Sequence, residues 1–162
     1  MEIYVLRHGA AENAKVGASD ATRALTKDGR EKLGLVLARA RAAGVAPALI
    51  LTSPYVRAVE TAEMAAEALG PATPVMRTGA LAPDSRPEAV WEEIRRRGDE
   101  ASLMLVGHEP LLGETISYLL AAPRVVVDLK KGALARIDVA EISRRPNGVL
   151  VWLLPPRVAR GE

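Results

Sequence analysis

The chain has 162 residues, of which 49% are hydrophobic and 26% are charged, a balance typical of a single globular domain. Its net charge is only +2, and with 3% aromatic residues it offers few platforms for stacking nucleic-acid bases. The absence of cysteine excludes a disulfide framework and a thiolate nucleophile, and two histidines are too few for an ordinary zinc site. Neither a signal peptide nor a membrane-spanning run is recognised, so we expect a cytoplasmic protein without nucleic-acid or membrane partners.

The first predicted element is a strand from Ile3 to Leu6, because four consecutive apolar residues indicate burial on both faces. Arg7, His8 and Gly9 follow this strand without a spacer. Parallel strands of an α/β sheet present ligand-binding residues just beyond their carboxyl ends. Arg7 and His8 are therefore candidate functional residues, and Gly9 allows a close approach of the backbone to a ligand. Taken alone, a buried structural histidine beside a surface arginine explains the same pattern.

A loop, a helix and a second buried strand are predicted next. Residues 10–24 are small and polar without periodicity, which indicates a loop. Thr26 then caps a helix that continues through Ala43, with apolar residues at three- and four-residue spacing, and Gly44 ends it. Residues 48–51 form the second buried strand, which again runs directly into polar residues.

Ser53 and Pro54 predict the start of a second helix, which continues to Leu69, because a hydroxyl N-cap followed by proline is typical of a helix N-terminus. Arg57 lies in the first turn and Thr61 shares its face. Free backbone N–H groups and the helix dipole favour an anion there and disfavour a cation. An arginine at this position is therefore reasonable if an anion binds beside it, although most helical arginines are simply exposed.

The remaining predicted elements are a short edge strand over 73–76, an irregular loop over 77–87 with Asp84 and Arg86, a helix over 87–97, a buried strand over 103–106, a helix from Pro110 to Leu120, strands over 133–139 and 149–154 joined as a hairpin through 146–148, and a polar tail over 157–162. The strand over 103–106 runs directly into Gly107 and His108. No linker or internal repeat interrupts residues 1–162, so we expect one domain.

Both histidines of the chain thus follow buried strands, a hundred residues apart. In a parallel sheet these strand ends share one edge, so we expect His8, His108 and Arg57 to converge with Arg7. All four groups are donors or cations, and they suit a compact anion such as phosphate or sulfate. One neutral imidazole would attack phosphorus while the other three groups hold the oxygens, without a metal or cofactor. A catalytically silent phosphate-binding module and a metal-binding protein are the competing hypotheses.

Three motifs resemble those of the histidine phosphatase superfamily. Residues 6–9 resemble its Arg-His-Gly signature, residues 53–62 its second motif and Gly107-His108 its third, in the same order along the chain. The small size and the segment 20–26 make the chain most similar to the compact, SixA-type phosphohistidine phosphatase branch. The resemblance implies a three-layer α/β/α sandwich with a mostly parallel central sheet, like that of the phosphoglycerate mutases.

The resemblance also implies roles for individual residues. His8 is expected to be the nucleophile, and Arg7, Arg57 and His108 are expected to form the phosphate pocket. The contacts that complete substrate binding are assigned to Gly9, Ser53 and, at the rim, Arg23. The implied activity is a metal-independent phosphatase that works through a phosphorylated His8.

The chain departs from the family at the proton donor. The loop over 79–88 lacks the glutamate-centred pattern expected of mutases and broad phosphatases, which leaves Asp84 and Glu109 as candidate general acids. The imidazole of a phosphohistidine leaves more readily than an alkoxide and needs less acid assistance. We therefore expect a phosphohistidine-bearing signalling protein as the substrate, admitted by short connections that leave little sequence for a lid. The alternative is a small-molecule phosphomonoesterase that uses Asp84 or Glu109.

Overall fold

The computed structural model describes residues 1–161 as one six-stranded sheet flanked by helices. The strands are β1 Glu2–Arg7, β2 Leu49–Thr52, β3 Val75–Arg77, β4 Ser102–Gly107, β5 Leu134–Val139 and β6 Gly148–Leu154. The α-helices are α1 Lys27–Ala42, α2 Val56–Leu69, α3 Pro87–Arg95, α4 Leu111–Leu119 and α5 Pro156–Arg160. Two short 3-10 helices, Asp20–Thr22 and Gly79–Leu81, lie in the connections.

The strand order is β3-β2-β4-β1-β5-β6. β1, β2, β3 and β4 pair in parallel, whereas β5 is antiparallel to β1, and β6 is antiparallel to β5. The helices α1, α2 and α3 lie in the crossover connections between the successive parallel strands β1 to β4. The predicted, mostly parallel sheet is confirmed.

Alternation along the buried strands divides the core between the two faces of the sheet. Ile3 and Val5 of β1 belong to a cluster with α3 and α4, whereas Tyr4 and Leu6 belong to a second cluster with α1, α2 and α5. Successive strand residues point to opposite faces, so a strand of uninterrupted apolar residues supplies both cores. Helices therefore cover both faces, and the predicted three-layer α/β/α sandwich is confirmed.

The hydrogen-bond ladder brings the ends of three adjacent strands together. Arg7 pairs with Gly107 in the register of β1 and β4. One step further, the His8 N–H donates to the Gly107 carbonyl at 3.0 Å, and the Ser53 N–H donates to the Val106 carbonyl at 2.9 Å. The central strand β4 thus aligns the residues that leave β1 and β2 with its own continuation into His108.

The predicted start of the second helix is wrong by two residues. α2 begins at Val56, with Tyr55 at the N-cap, rather than at Pro54. Ser53 is still engaged in the strand ladder through its backbone N–H, so its side chain cannot cap from the ordinary position. The Ser53 hydroxyl nevertheless accepts a hydrogen bond from the Tyr55 N–H at 3.3 Å, which turns the chain into the helix.

The polar tail predicted over 157–162 is also wrong over the part that the structure describes, where α5 forms. Pro156 occupies the first turn and Gly161, with φ of 85°, ends the helix. Ala159 is buried in the core cluster under α1, which the flanking Arg157 and Arg160 concealed. Glu162 lies outside the described residues.

Two smaller differences concern connections. The edge strand runs over Val75–Arg77 rather than 73–76, and the predicted hairpin of β5 and β6 is connected by residues 140–147 rather than by a tight turn. The long connection from β1 to α1, over residues 8–26, does not stay at the surface away from the strand ends. It lies against α2, and it contributes directly to the site described next.

Candidate active site

His8 is the most constrained side chain at the shared strand edge. It is buried, and its Nδ1 lies 2.7 Å from the carbonyl oxygen of Gly9. A carbonyl oxygen only accepts, so the proton of the neutral ring lies on Nδ1 and the lone pair lies on Nε2. The Arg57 Nε–H donates to that Nε2 at 3.3 Å. The ring is therefore held in one tautomer, with the nitrogen that carries the lone pair facing a guanidinium group.

Burial lowers the pKa of His8 to about 3. Burial is the largest cause of this lowered pKa; the hydrogen bond to the Gly9 carbonyl acts against it, and the neighbouring His108, Arg57 and Arg7 act in the same direction as burial. A charged imidazolium is disfavoured because it would lose its hydration beside other cationic groups. His8 is consequently neutral at physiological pH, which is the form that attacks phosphorus.

His108 continues β4 and lies beside His8, with 5.0 Å between the ring centres. Its Nε2 is 2.7 Å from the Ser53 hydroxyl, and its buried Nδ1 has no hydrogen-bond partner within residues 1–161. Burial, followed by the charge of Arg57, lowers the pKa of His108 to about 4. The His108 and Tyr55 rings meet in a T-shaped arrangement with 5.1 Å between their centres, so neighbours on two sides orient the His108 ring.

Arg57 reaches the site from the first turn of α2 and is 5% exposed. One Nη donates to the backbone carbonyl of Asp20 and the other to its carboxylate, each at 2.9 Å. The guanidinium also lies 5.0 Å from the ring centre of Tyr55, within the range of a cation–π interaction. The second oxygen of the Asp20 carboxylate lies 2.9 Å from Nε of Arg23.

Arg7 is partly buried, and one Nη donates to the Leu129 carbonyl at 2.8 Å. Its Nε is buried without a hydrogen-bond partner in the described chain. Burial lowers the pKa of Arg7, opposed by the charges of Glu109 and Asp128, but an arginine remains protonated in any case. Arg7 therefore keeps a positive charge and unused donor capacity beside both histidines.

Gly9 supports the site through its backbone. Its N–H donates to the Thr61 hydroxyl at 3.2 Å, and that hydroxyl donates to the Arg57 carbonyl at 2.7 Å. A Cβ on Gly9 would lie 3.2 Å from the Gly29 carbonyl, so this residue also permits the close approach of α1. Gly9 thus connects the His8 ring to α2, and direct contact of Gly9 with a substrate stays a prediction.

The two candidate general acids differ in their surroundings. Asp84 is exposed and forms no hydrogen bond or ion pair with any residue of 1–161. Glu109 is half-buried, and its carboxylate accepts the Gly113 N–H at 2.8 Å near the start of α4. Burial raises the pKa of Glu109, while Gly113 and Arg7 act against that shift. The structure thus brings Arg7, Arg57, His8 and His108 together with Ser53 and Arg23, whereas Asp84 forms no hydrogen bond or ion pair with any of them.

Three participants escaped the sequence interpretation: the Asp20 carboxylate, the Tyr55 ring and the Leu129 carbonyl. Tyr55 could have been found, because it lies between the helix-start signal and Arg57 in the second motif. Asp20 lies in an aperiodic loop, and although the resemblance assigns Arg23 of the same segment to the pocket rim, no local pattern indicates that the Asp20 carboxylate reaches α2. A backbone carbonyl such as that of Leu129 carries no sequence signal at all.

Within residues 1–161, no group of three histidine, aspartate or glutamate side chains is arranged to hold a metal ion. In the same residues, no helix is long and apolar enough to cross a membrane.

Residues 3–83 match the model of the histidine phosphatase superfamily (branch 1). The chain is 42% identical to an uncharacterized protein of Picosynechococcus sp. (strain PCC 7002), over 97% of this chain and 98% of that one. It is 27% identical to the phosphohistidine phosphatase SixA of Escherichia coli K12, over 96% and 94% of the two chains. The structure of the protein histidine phosphatase SixA complexed with tungstate superposes with a TM-score of 0.88 and 24% identity, covering 98% of this chain and 99% of that one.

The chain therefore belongs to the histidine phosphatase superfamily, and the family and fold expected from its three motifs are confirmed. Within that superfamily, its fold is similar to that of SixA along nearly the whole chain. The matched region contains the first two motifs, with His8 and Arg57, whereas His108 lies beyond it. Membership in this superfamily supports an enzyme of the phosphatase class.

Proposed function

We propose that this protein is a metal-independent phosphohistidine phosphatase whose nucleophile is Nε2 of His8. The observation that carries the proposal is the fixed tautomer of His8, whose Nδ1 is held by the Gly9 carbonyl while Nε2 keeps its lone pair beside Arg57. With a pKa of about 3, the ring needs no base to deprotonate it before attack.

In the first step, the Nε2 lone pair of His8 forms a bond to phosphorus as the bond to the leaving imidazole breaks. That imidazole takes a proton from solvent, and the phosphoryl group remains on His8. Arg7, Arg57 and His108 would hold its oxygens and offset the negative charge of the transition state, in place of a metal ion. In the second step, water attacks the phosphorus, orthophosphate leaves, and neutral His8 is restored.

The substrate class is proposed from the proton donors. Asp84 forms no hydrogen bond or ion pair with the described site residues, and one oxygen of the Glu109 carboxylate accepts the Gly113 N–H of α4. An alkoxide leaving group gains about 10²–10⁴-fold from general acid catalysis, whereas an imidazole leaves with less assistance. The relative named phosphohistidine phosphatase SixA, similar over nearly the whole chain, supports the same choice. A cytoplasmic signalling phosphoprotein is therefore the proposed substrate.

Relative turnover tests the proposal. We expect kcat/KM for a histidine-phosphorylated phosphotransfer protein to exceed that for sugar phosphates by at least about 10², the lower end of the contribution of general acid catalysis. Asp84→Asn and Glu109→Gln should leave the rate on the phosphoprotein within a few-fold of the parent. Faster hydrolysis of sugar phosphates, abolished by either substitution, would instead establish a small-molecule phosphomonoesterase.

A further inference from the structure

The Asp20 carboxylate occupies the cationic groups that a phosphate would use. Its two oxygens lie 2.9 Å from Nη of Arg57 and 2.9 Å from Nε of Arg23. Its charge is also close enough to His108 for each to influence the other's pKa. A carboxylate and a phosphoryl group present similar pairs of oxygens to a guanidinium group, so both suit the same donors.

The contact is not required to hold Arg57 in place. Arg57 also donates to the backbone carbonyl of Asp20 at 2.9 Å and to Nε2 of His8 at 3.3 Å, and it packs on Tyr55. None of these three contacts is made by the Asp20 carboxylate. The Asp20 side chain is 56% exposed, whereas that of Arg57 is 6% exposed, so the carboxylate is the partner that has room to move.

We propose that the Asp20 carboxylate is an internal competitor of phosphate, which fills the pocket of the free enzyme and leaves when a phosphoryl group enters. The proposal rests on the phosphatase site described above and adds a residue that sets its affinity for phosphoryl ligands. Phosphate binds only the fraction of molecules in which the Asp20 carboxylate has left the pocket. The apparent dissociation constant for phosphate is therefore the intrinsic constant divided by that fraction. After turnover, return of the carboxylate would help to expel orthophosphate.

Isothermal titration calorimetry with inorganic orthophosphate tests the proposal on the full-length protein. We expect Asp20→Asn to bind orthophosphate about tenfold more tightly, as for a parent whose pocket is open about a tenth of the time. The side-chain amide of Asp20→Asn can still accept a hydrogen bond from Arg57. Asp20→Ala lacks this amide and should also bind orthophosphate more tightly than the parent. The phosphate inhibition constant for hydrolysis of p-nitrophenyl phosphate should fall in parallel.

Glu12→Gln is the matched control, because it removes one negative charge from the same loop. Glu12 is exposed, forms no ion pair within the described residues, and lines a surface pocket with Arg23. If loss of charge alone matters, Glu12→Gln will strengthen phosphate binding as much as Asp20→Asn. High salt screens long-range effects of charge. If phosphate instead displaces the direct contact of the Asp20 carboxylate with Arg57, the ratio of the phosphate dissociation constants of the parent and Asp20→Asn should persist at 1 M salt.

Unchanged or weaker phosphate binding in both Asp20 variants overturns the proposal, and so does an equal effect of Glu12→Gln. These outcomes differ from failure of the phosphatase proposal, in which the parent would show neither phosphate binding nor a phosphorylated His8. A parent that binds phosphate, with no gain on removal of the Asp20 carboxylate, refutes the competitor and leaves the phosphatase proposal intact.

Discussion

Acidification from pH 7 to pH 5 is expected to destabilise the fold through His8 and His108. Both rings are buried, and their pKa values are lowered from the ordinary 6.5 to about 3 and about 4. At pH values between these lowered pKa values and 6.5, both histidines are protonated in the unfolded chain but neutral in the folded protein. The free energy of unfolding therefore falls as the pH falls through this window, and it is fully recovered above the unfolded pKa.

The magnitude follows from the two shifts. Between pH 7 and pH 5, each histidine changes the free energy of unfolding by about 2 kcal/mol, or about 4 kcal/mol together, by proton linkage. This is a large part of the about 5–15 kcal/mol by which domains are stable. It corresponds to a fall in melting temperature on the order of 10 °C for a chain of this size. The raised pKa of Glu109 offsets a small part of the loss.

Urea unfolding at pH 7, 6 and 5, in buffers without phosphate or sulfate, measures the effect. Anions that bind only the folded state would otherwise mask it. His8→Gln and His108→Gln should each remove about half of the pH dependence, because each deletes one titrating ring. A free energy of unfolding that stays constant from pH 7 to pH 5, or falls equally in the parent and in the double variant, would refute the reasoning.

Three further substitutions test separate contacts. Arg57→Lys should lower kcat/KM on the order of 10²-fold without unfolding the chain, because a lysine cannot keep the contacts of the guanidinium fork. A kcat/KM near that of the parent counts against a role of Arg57 in binding the phosphoryl group. Ser53→Ala removes the hydroxyl at Nε2 of His108 and should lower kcat about tenfold with little change in KM, measured on the same substrate. Gly29→Ala should cost about 1–3 kcal/mol in urea unfolding, because its Cβ would collide with the Ala10 carbonyl; a neutral effect would mean that α1 shifts freely.

The residues that end strands could be predicted from the sequence because their signal is local. His8 and His108 each follow an uninterrupted apolar strand, and parallel pairing then brings them to one edge whatever the intervening chain does. Arg57 was recognisable for a related reason, since a cation in the first turn of a helix is unfavourable without an anion nearby.

Contacts made by loops could not be predicted in the same way. Asp20 reaches Arg57 only because residues 8–26 fold back over α2, which no periodicity in that segment indicates. Helix α5 was missed because its burial depends on Ala159 reaching α1, a tertiary contact made by a small residue between two arginines. The shift of the α2 start has the same origin, since the ladder bond of Ser53 to β4 outweighs the local capping signal.

Trapping the covalent intermediate tests the central claim most directly. The protein is mixed with a ³²P-labelled, histidine-phosphorylated protein, quenched within milliseconds in alkaline detergent, and the label is mapped by peptide mass spectrometry. We predict a label on His8 that survives base, is lost in acid, and is absent from a folded His8→Asn variant. Turnover without any label on the enzyme, or a label that persists in His8→Asn, would contradict the account.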